Sequence, residues 1–178
     1  MQGENEIVDI VDENNQVVGK ASRREAHNKG HFHRALSVLV INSKGQILLQ
    51  KRSASKSVHP LSWDLSTSEH VLAGESYEDA GIRSVREELG VEIVVGNPSK
   101  TSLQIREYQI NGETVHEKEI VLMLTGSHDG PFKVDPSEVD SVEFFTVEEI
   151  ERMILDKESF TIWFLEEWGN VKKVLSIR

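Results

Sequence analysis

Gly74-Glu75-Ser76-Tyr77-Glu78-Asp79-Ala80-Gly81-Ile82-Arg83-Ser84-Val85-Arg86-Glu87-Glu88-Leu89-Gly90-Val91 reads as a loop, one helix dense in carboxylates and a glycine stop. Ser76 is a good N-cap, and Asp79 three residues later forms a weak capping box with it. Ile82, Val85 and Leu89 make one apolar stripe, and Gly90 sits where a left-handed C-cap is expected. On a helical wheel Arg83, Ser84, Glu87 and Glu88 lie away from that stripe. Acidic residues gathered beside a loop often hold divalent metal, and metal beside a loop often means phosphate chemistry. An ordinary solvated face accounts for the same residues: Arg83 and Glu87 form an i,i+4 pair, and acids near a helix start need no special purpose.

Outward from this helix, the pattern predicts a mixed sheet flanked by helices. Residues 6–12 and 16–20 read as a hairpin over Glu13-Asn14-Asn15, followed by a basic helical turn, Arg23-Arg24-Glu25-Ala26-His27. Strands are expected over 35–42 and 46–52, turning at Ser43-Lys44-Gly45, with shorter ones over 63–67 and 91–95. Residues 101–110 and 114–124 flank Asn111-Gly112, a strong hairpin signal, and 142–145 is a further strand. Thr146 and Glu149 cap a helix to about Ile154, and a last helix is expected over 160–168. Linkers are short and there is no internal repeat, so one domain over 1–178 is expected, its hairpin and basic, histidine-bearing segment occupying 1–34.

Composition sets limits. The 178 residues suffice for a domain with a real core, and 38% hydrophobic with 28% charged residues suits a soluble globular protein. With no cysteine, disulfides, thiolate metal sites and a cysteine nucleophile are excluded. No apolar run reaches membrane-spanning length, and MQGENEIVDI is too acidic for a signal peptide, so the expectation is a cytoplasmic protein without a membrane partner. A formal net charge of −10 should repel nucleic acid, yet an acidic protein still binds a small-molecule diphosphate when Mg²⁺ bridges carboxylate and phosphate. A homodimer stays open.

The segment 69–91 resembles the Nudix box, G-x5-E-x7-R-E-U-x-E-E-x-G-U with U aliphatic. Glu75, Arg83, Val85, Glu87, Glu88, Gly90 and Val91 match at the required spacing. Glu69 stands where the first glycine belongs, and Ser84 where the first glutamate of the Arg-Glu pair belongs. The resemblance implies the Nudix fold, an α/β (α+β) mixed sheet between helices. It also implies Mg²⁺ or Mn²⁺ held by Glu75, Glu87 and Glu88, with Arg83 orienting a glutamate.

A second constellation stands apart from the box. His27, His31 and His33 cluster before the strand at Ala35, His70 lies just before Gly74, and Glu117 and Glu119 share one face of their strand. Such a set suits Mn²⁺, Fe²⁺ or Zn²⁺, while scattered histidines also cap helices or satisfy buried polar groups. From about residue 6 to 168 the chain is similar to the isopentenyl diphosphate isomerase branch of the superfamily. That branch holds one metal with three histidines and two glutamates, which match His27, His33, His70, Glu117 and Glu119 here. The spacing of the first two histidines is one residue shorter, which leaves His31 as a rival. The isomerase residues that grip the diphosphate match Arg23, Arg52 and Lys56; the tryptophan facing the allylic cation matches Trp163; its tyrosine matches Tyr108 if one loop residue is deleted. The catalytic cysteine aligns with Ser68, opposite a glutamate that matches Glu119. A serine hydroxyl is far less acidic than a thiol and a poor acid or base near neutral pH.

Three functions are therefore expected as alternatives. The leading one is metal-dependent hydrolysis of a diphosphate linkage, with Glu87 central and Glu117 or Glu119 supplying the base that Ser84 cannot. The second is an isoprenoid diphosphate isomerase or a relative with altered substrate. The third is a non-catalytic diphosphate-binding protein.

Overall fold

The structure, a computed structural model, describes residues 3–96, 98–110 and 112–176. Along the chain run β1 (Ile7–Val11), β2 (Val17–Ser22), α1 (Arg23–Lys29), β3 (His33–Ile41), β4 (Ile47–Arg52), β5 (Trp63–Asp64) and β6 (Thr67–His70). Then follow α2 (Tyr77–Leu89), β7 (Val95–Gly96), β8 (Ser102–Ile110), β9 (Glu113–Ser127), β10 (Val139–Phe145), α3 (Val147–Leu155) and α4 (Ile162–Ser176).

β3 is the spine of a mixed sheet. It runs parallel to β9 from His33 opposite Glu119 to Ile41 opposite Ser127, and antiparallel to β6 with Ala35 opposite His70. β8 and β9 form the expected long hairpin, with Arg106 opposite Glu117; of its turn, Asn111 lies outside the described residues. Alternation along the strands divides the core between two faces. Leu36, Val38, Val40, Leu48 and Leu124 pack with Ala80, Val85 and Leu89 of α2. Leu39, Ile47, Leu49 and Met123 pack on the other side with Ile150 of α3 and Phe164, Trp168 and Val171 of α4. The sheet is thus sandwiched between helices, as the sequence pattern predicts.

Three elements depart from that pattern. Residues 63–67 form two short strands, because β5 pairs with β4 while β6 crosses to β3. Ser66 holds the crossing: its hydroxyl donates to the Leu48 carbonyl at 2.5 Å and accepts from the Val40 amide at 2.9 Å. Of residues 91–95 only Val95 joins the sheet; Val94 is 88% exposed. The last helix runs on through Gly169 to Ser176, because Val171 continues the buried stripe begun by Phe164 and Trp168.

In α2 the caps are as expected. Ser76 accepts from the Asp79 amide at 3.1 Å, and Gly90 adopts φ 67°. Its buried face is wider than the apolar stripe: Ala80, Gly81, Ser84 and Glu88 are buried alongside Val85 and Leu89. Small residues cause this. A Cβ on Gly81 would lie 3.0 Å from Leu124 Cδ1, so the helix sits close to the sheet and draws its neighbours inward. Ser84 and Glu88 therefore do not lie on the solvated face that the wheel assigns them.

Candidate functional site

Four chain segments converge on one cluster. Ser22 caps α1 by accepting from the Glu25 amide, and Gly30 closes it at φ 62°, which places His27 in the last turn. His33 opens β3, His70 ends β6, and β9 supplies Glu119 beside His33. One ligand atom from each of His27, His33, His70 and Glu119 lies within 4.8 Å of the others. The imidazole centroids are 5.1–5.4 Å apart. Nε2 of each histidine is buried; those of His27 and His33 have no hydrogen-bond partner, and that of His70 lies 3.1 Å from Glu119 Oε1.

A local hydrogen bond prepares one of these nitrogens. Nδ1 of His33 lies 3.0 Å from the His31 carbonyl, which assigns the proton to Nδ1 and leaves Nε2 with a lone pair. His31 thus orients a cluster residue from outside the cluster. Burial, then His70 and His33, push the His27 value down to about 3; burial, then His70, push His33 down to about 4. Both are neutral imidazoles near pH 7. For His70, burial and Arg23 pull downward, but Glu119 and Glu69 outweigh them and raise it. Burial acts to raise Glu119, yet His70, His33 and Arg106 hold it below the usual carboxylate range. Three inward-facing imidazole nitrogens and an ionised carboxylate oxygen fit a divalent transition-metal ion.

Glu117 is close by but differently engaged. It accepts from Arg106 Nη1 at 2.5 Å and from the Tyr108 hydroxyl at 2.9 Å. Burial, followed by Glu119, raises its carboxyl above the usual range. Arg106 also reaches Glu119 at 3.5 Å and donates through Nε to Glu166 at 2.9 Å. Sequence reasoning passed over Arg106. Its signal was the two-residue alternation that puts Gln104, Arg106 and Tyr108 on one face of β8, across from Glu119 and Glu117.

The carboxylates of α2 and its preceding loop are mostly committed. Glu75 accepts from Arg83 Nε at 2.9 Å and Nη2 at 3.0 Å, and neither residue lines the cleft described below. Ser84 lies 2.8 Å from the Thr67 hydroxyl and is 1% exposed. Glu88 accepts from Gln50 at 3.1 Å, and burial, then Glu69, raise it well above the ordinary carboxylate value. Glu87 is the open one, with its side chain 54% exposed and Arg83 at 3.5 Å.

A cleft of about 540 Å³ joins these parts. His27, His70, Glu117 and Glu119 lie on its wall, as do Glu87 and Glu88. Arg23, Arg52 and Lys56 bring positive charge, and Ser68, Tyr108 and Trp163 line the cleft as well, whereas His33 does not. Lys56 is ion-paired with Glu138, while Arg52 donates to the Val58 carbonyl and to Asp64. Asp64, fully buried, also accepts from the Trp163 indole at 2.8 Å and the Thr161 hydroxyl at 3.1 Å. It fixes an arginine and a tryptophan together and was not singled out from the sequence. Ser68 shares a 3.2 Å hydrogen bond with Ser37. Glu69, the departure at the start of the box, also lines the cleft, between Ser68 and His70.

The NUDIX domain family profile matches residues 31–164. The chain belongs to the NUDIX family. Two relatives span nearly all of it. Isopentenyl-diphosphate Delta-isomerase 1 of Photorhabdus laumondii is 32% identical over 168 residues, 93% of this chain and 94% of that protein. An uncharacterised Nudix hydrolase of Listeria monocytogenes is 31% identical over 175 residues, 95% and 96% of the two chains. Among solved structures, DR0079 of Deinococcus radiodurans superposes with a TM-score of 0.68 at 28% identity, covering 88% of this chain and 93% of its own. No helix among the described residues of this NUDIX protein is long and apolar enough to cross a membrane.

Proposed function

We propose that this protein is a divalent-metal-dependent hydrolase of a small-molecule diphosphate. The observation that carries the reading is the convergence of three buried imidazole nitrogens on Glu119, beside a cleft that also holds Arg23, Arg52 and Lys56. His27, His33, His70 and Glu119 would hold a metal, with Mn²⁺, Zn²⁺ or Fe²⁺ suited to the nitrogen-rich set and Mg²⁺ to carboxylate and phosphate oxygens. When bound, such ions polarise a phosphoryl oxygen and lower the pKa of water. Arg52, a fork fixed by Asp64, and Lys56, an ammonium ion-paired with Glu138, would grip the diphosphate. Glu87 is the box carboxylate exposed enough to meet a substrate-borne ion or orient water. A Glu87→Gln variant that keeps full hydrolysis would sink that assignment.

Isomerisation of an isoprenoid diphosphate is the second reading, favoured by the full-length similarity to the Photorhabdus isomerase. Ser68 counts against it, because a hydroxyl hydrogen-bonded to Ser37 is no substitute for a titrating thiol. Incubation with isopentenyl diphosphate, Mg²⁺ and Mn²⁺ in D₂O, followed by phosphorus and proton NMR, separates the readings. Released phosphate with undisturbed carbons supports hydrolysis. Deuterium in the carbons, or dimethylallyl product, overturns it in favour of isomerisation, and Ser68→Cys should then raise the rate steeply.

A further inference from the structure

The part of the cleft beyond the histidines is built from buried polar groups. Gln104, Arg106, Glu117 and Glu167 are each 5–9% exposed and line it together. They form linked pairs: Gln104 and Ser102 donate to Glu167, while Arg106 binds Glu117 and Glu166. Arg106 also lines a second cavity of about 270 Å³, with His59, Tyr108 and Trp163. Its Nη2 is the one nitrogen of this guanidinium that is buried and without an acceptor. Trp163 already has two guanidinium groups near its ring, Arg52 at 5.1 Å and Arg106 at 5.9 Å from the centroid.

A hydrocarbon chain seated on this wall would cover polar atoms without satisfying them. A carbocation near Trp163 would also meet two positive charges where cation–π attraction is already in use. An organic group bearing oxygen acceptors has the opposite fit, because it supplies what Arg106 Nη2 lacks. Resting on the diphosphate reading above, we propose that Arg106 selects substrates whose organic half presents an oxygen acceptor, as a nucleoside or sugar does, and discriminates against prenyl chains.

The test is calorimetric binding to the full chain in Mn²⁺, using pyrophosphate, uridine diphosphate, phosphoribosyl diphosphate and isopentenyl diphosphate. Wild type should bind one or both oxygen-bearing ligands about tenfold or more tighter than isopentenyl diphosphate. Uridine diphosphate ahead of phosphoribosyl diphosphate assigns the acceptor to a base, and the reverse to a sugar. Arg106→Leu should erase the margin, read as each ligand's affinity relative to that of pyrophosphate in the same variant. Because that variant strands Glu117 and Glu119, Arg106→Lys is run beside it: it keeps the cation, loses the fork, and should also lose the margin. Equal wild-type binding of isopentenyl diphosphate overturns the inference, as does an equal loss of all four ligands in Arg106→Lys. Failure of wild type to bind pyrophosphate removes the diphosphate reading and this inference with it.

Discussion

In and beside helix α2, Glu75 grips Arg83 through two hydrogen bonds, Ser84 is packed against Thr67 and Glu88 takes a hydrogen bond from Gln50. In the cluster of α1, β3, β6 and β9, the buried Nε2 atoms of His27 and His33 have no hydrogen-bond partner and that of His70 faces only Glu119. Both regions are rich in residues that ligate metals, but they have been completed differently. A buried polar atom costs free energy unless something pairs with it. The α2 region satisfies most of its own groups within the protein, whereas the histidine cluster gathers donor atoms that could hold a metal ion. Matching a motif and gathering a set of metal donors are thus separate properties, and here the second resides mainly outside the motif.

The most direct way to break this comparison is to remove one member of each region. His70→Ala should weaken Mn²⁺ or Zn²⁺ binding by about 100-fold or more, since changes even to groups behind a ligand cost about 10–100-fold. Glu87→Gln should leave metal affinity, measured without substrate, within about threefold. The opposite ranking in a calorimetric titration would move the resident ion to the box. Stability should follow the same division: metal at 100 times its Kd adds about 2.7 kcal/mol, or roughly 5–11 °C in Tm, and His70→Ala should abolish that gain.

Smaller effects sharpen the α2 side. Restoring the glutamate that the motif expects, by Ser84→Glu, should destabilise the fold by about 1–3 kcal/mol without raising activity, because position 84 is 1% exposed. Ser84→Ala should cost about 1 kcal/mol through the lost Thr67 contact. Urea melts check both. If Ser84→Glu instead raised hydrolysis at unchanged stability, the helix would have room for a carboxylate and its packing would not explain the departure.

Much of this fold was legible because its signals are local. Ser76 and Gly90 bound α2, and alternation along 114–124 places Glu117 and Glu119 on one face. What sequence could not supply depends on how elements meet. The wheel put Ser84 and Glu88 in water, and only the close approach at Gly81 turns them inward. The choice between His31 and His33 likewise needed the start of β3, where His33 pairs beside Glu119 and His31 offers only its carbonyl. Arg106 became visible through register: hairpin pairing sets it opposite Glu117, which draws that carboxylate out of the four-residue cluster.

The finest test uses pH. Glu88 has its folded-state pKa raised by burial and by Glu69, relative to an ordinary value of 4.5. Below about pH 4.5 both folded and unfolded forms carry the proton, and the stabilising effect of keeping Glu88 neutral in the fold is fully present. As pH rises, the unfolded chain releases its proton while the folded one retains it, so the unfolded state binds fewer protons and stability falls. Glu88→Gln keeps an acceptor for Gln50 and removes this titration. The variant should therefore match wild type near pH 4 and become progressively more stable than wild type towards pH 7, in chelated protein followed by urea denaturation. A variant less stable than wild type at pH 7 under those conditions would mean that Glu88 is ionised and paired in the fold. The α2 carboxylates would then be poised for cations, and the contrast with the histidine cluster would narrow to one of ligand type.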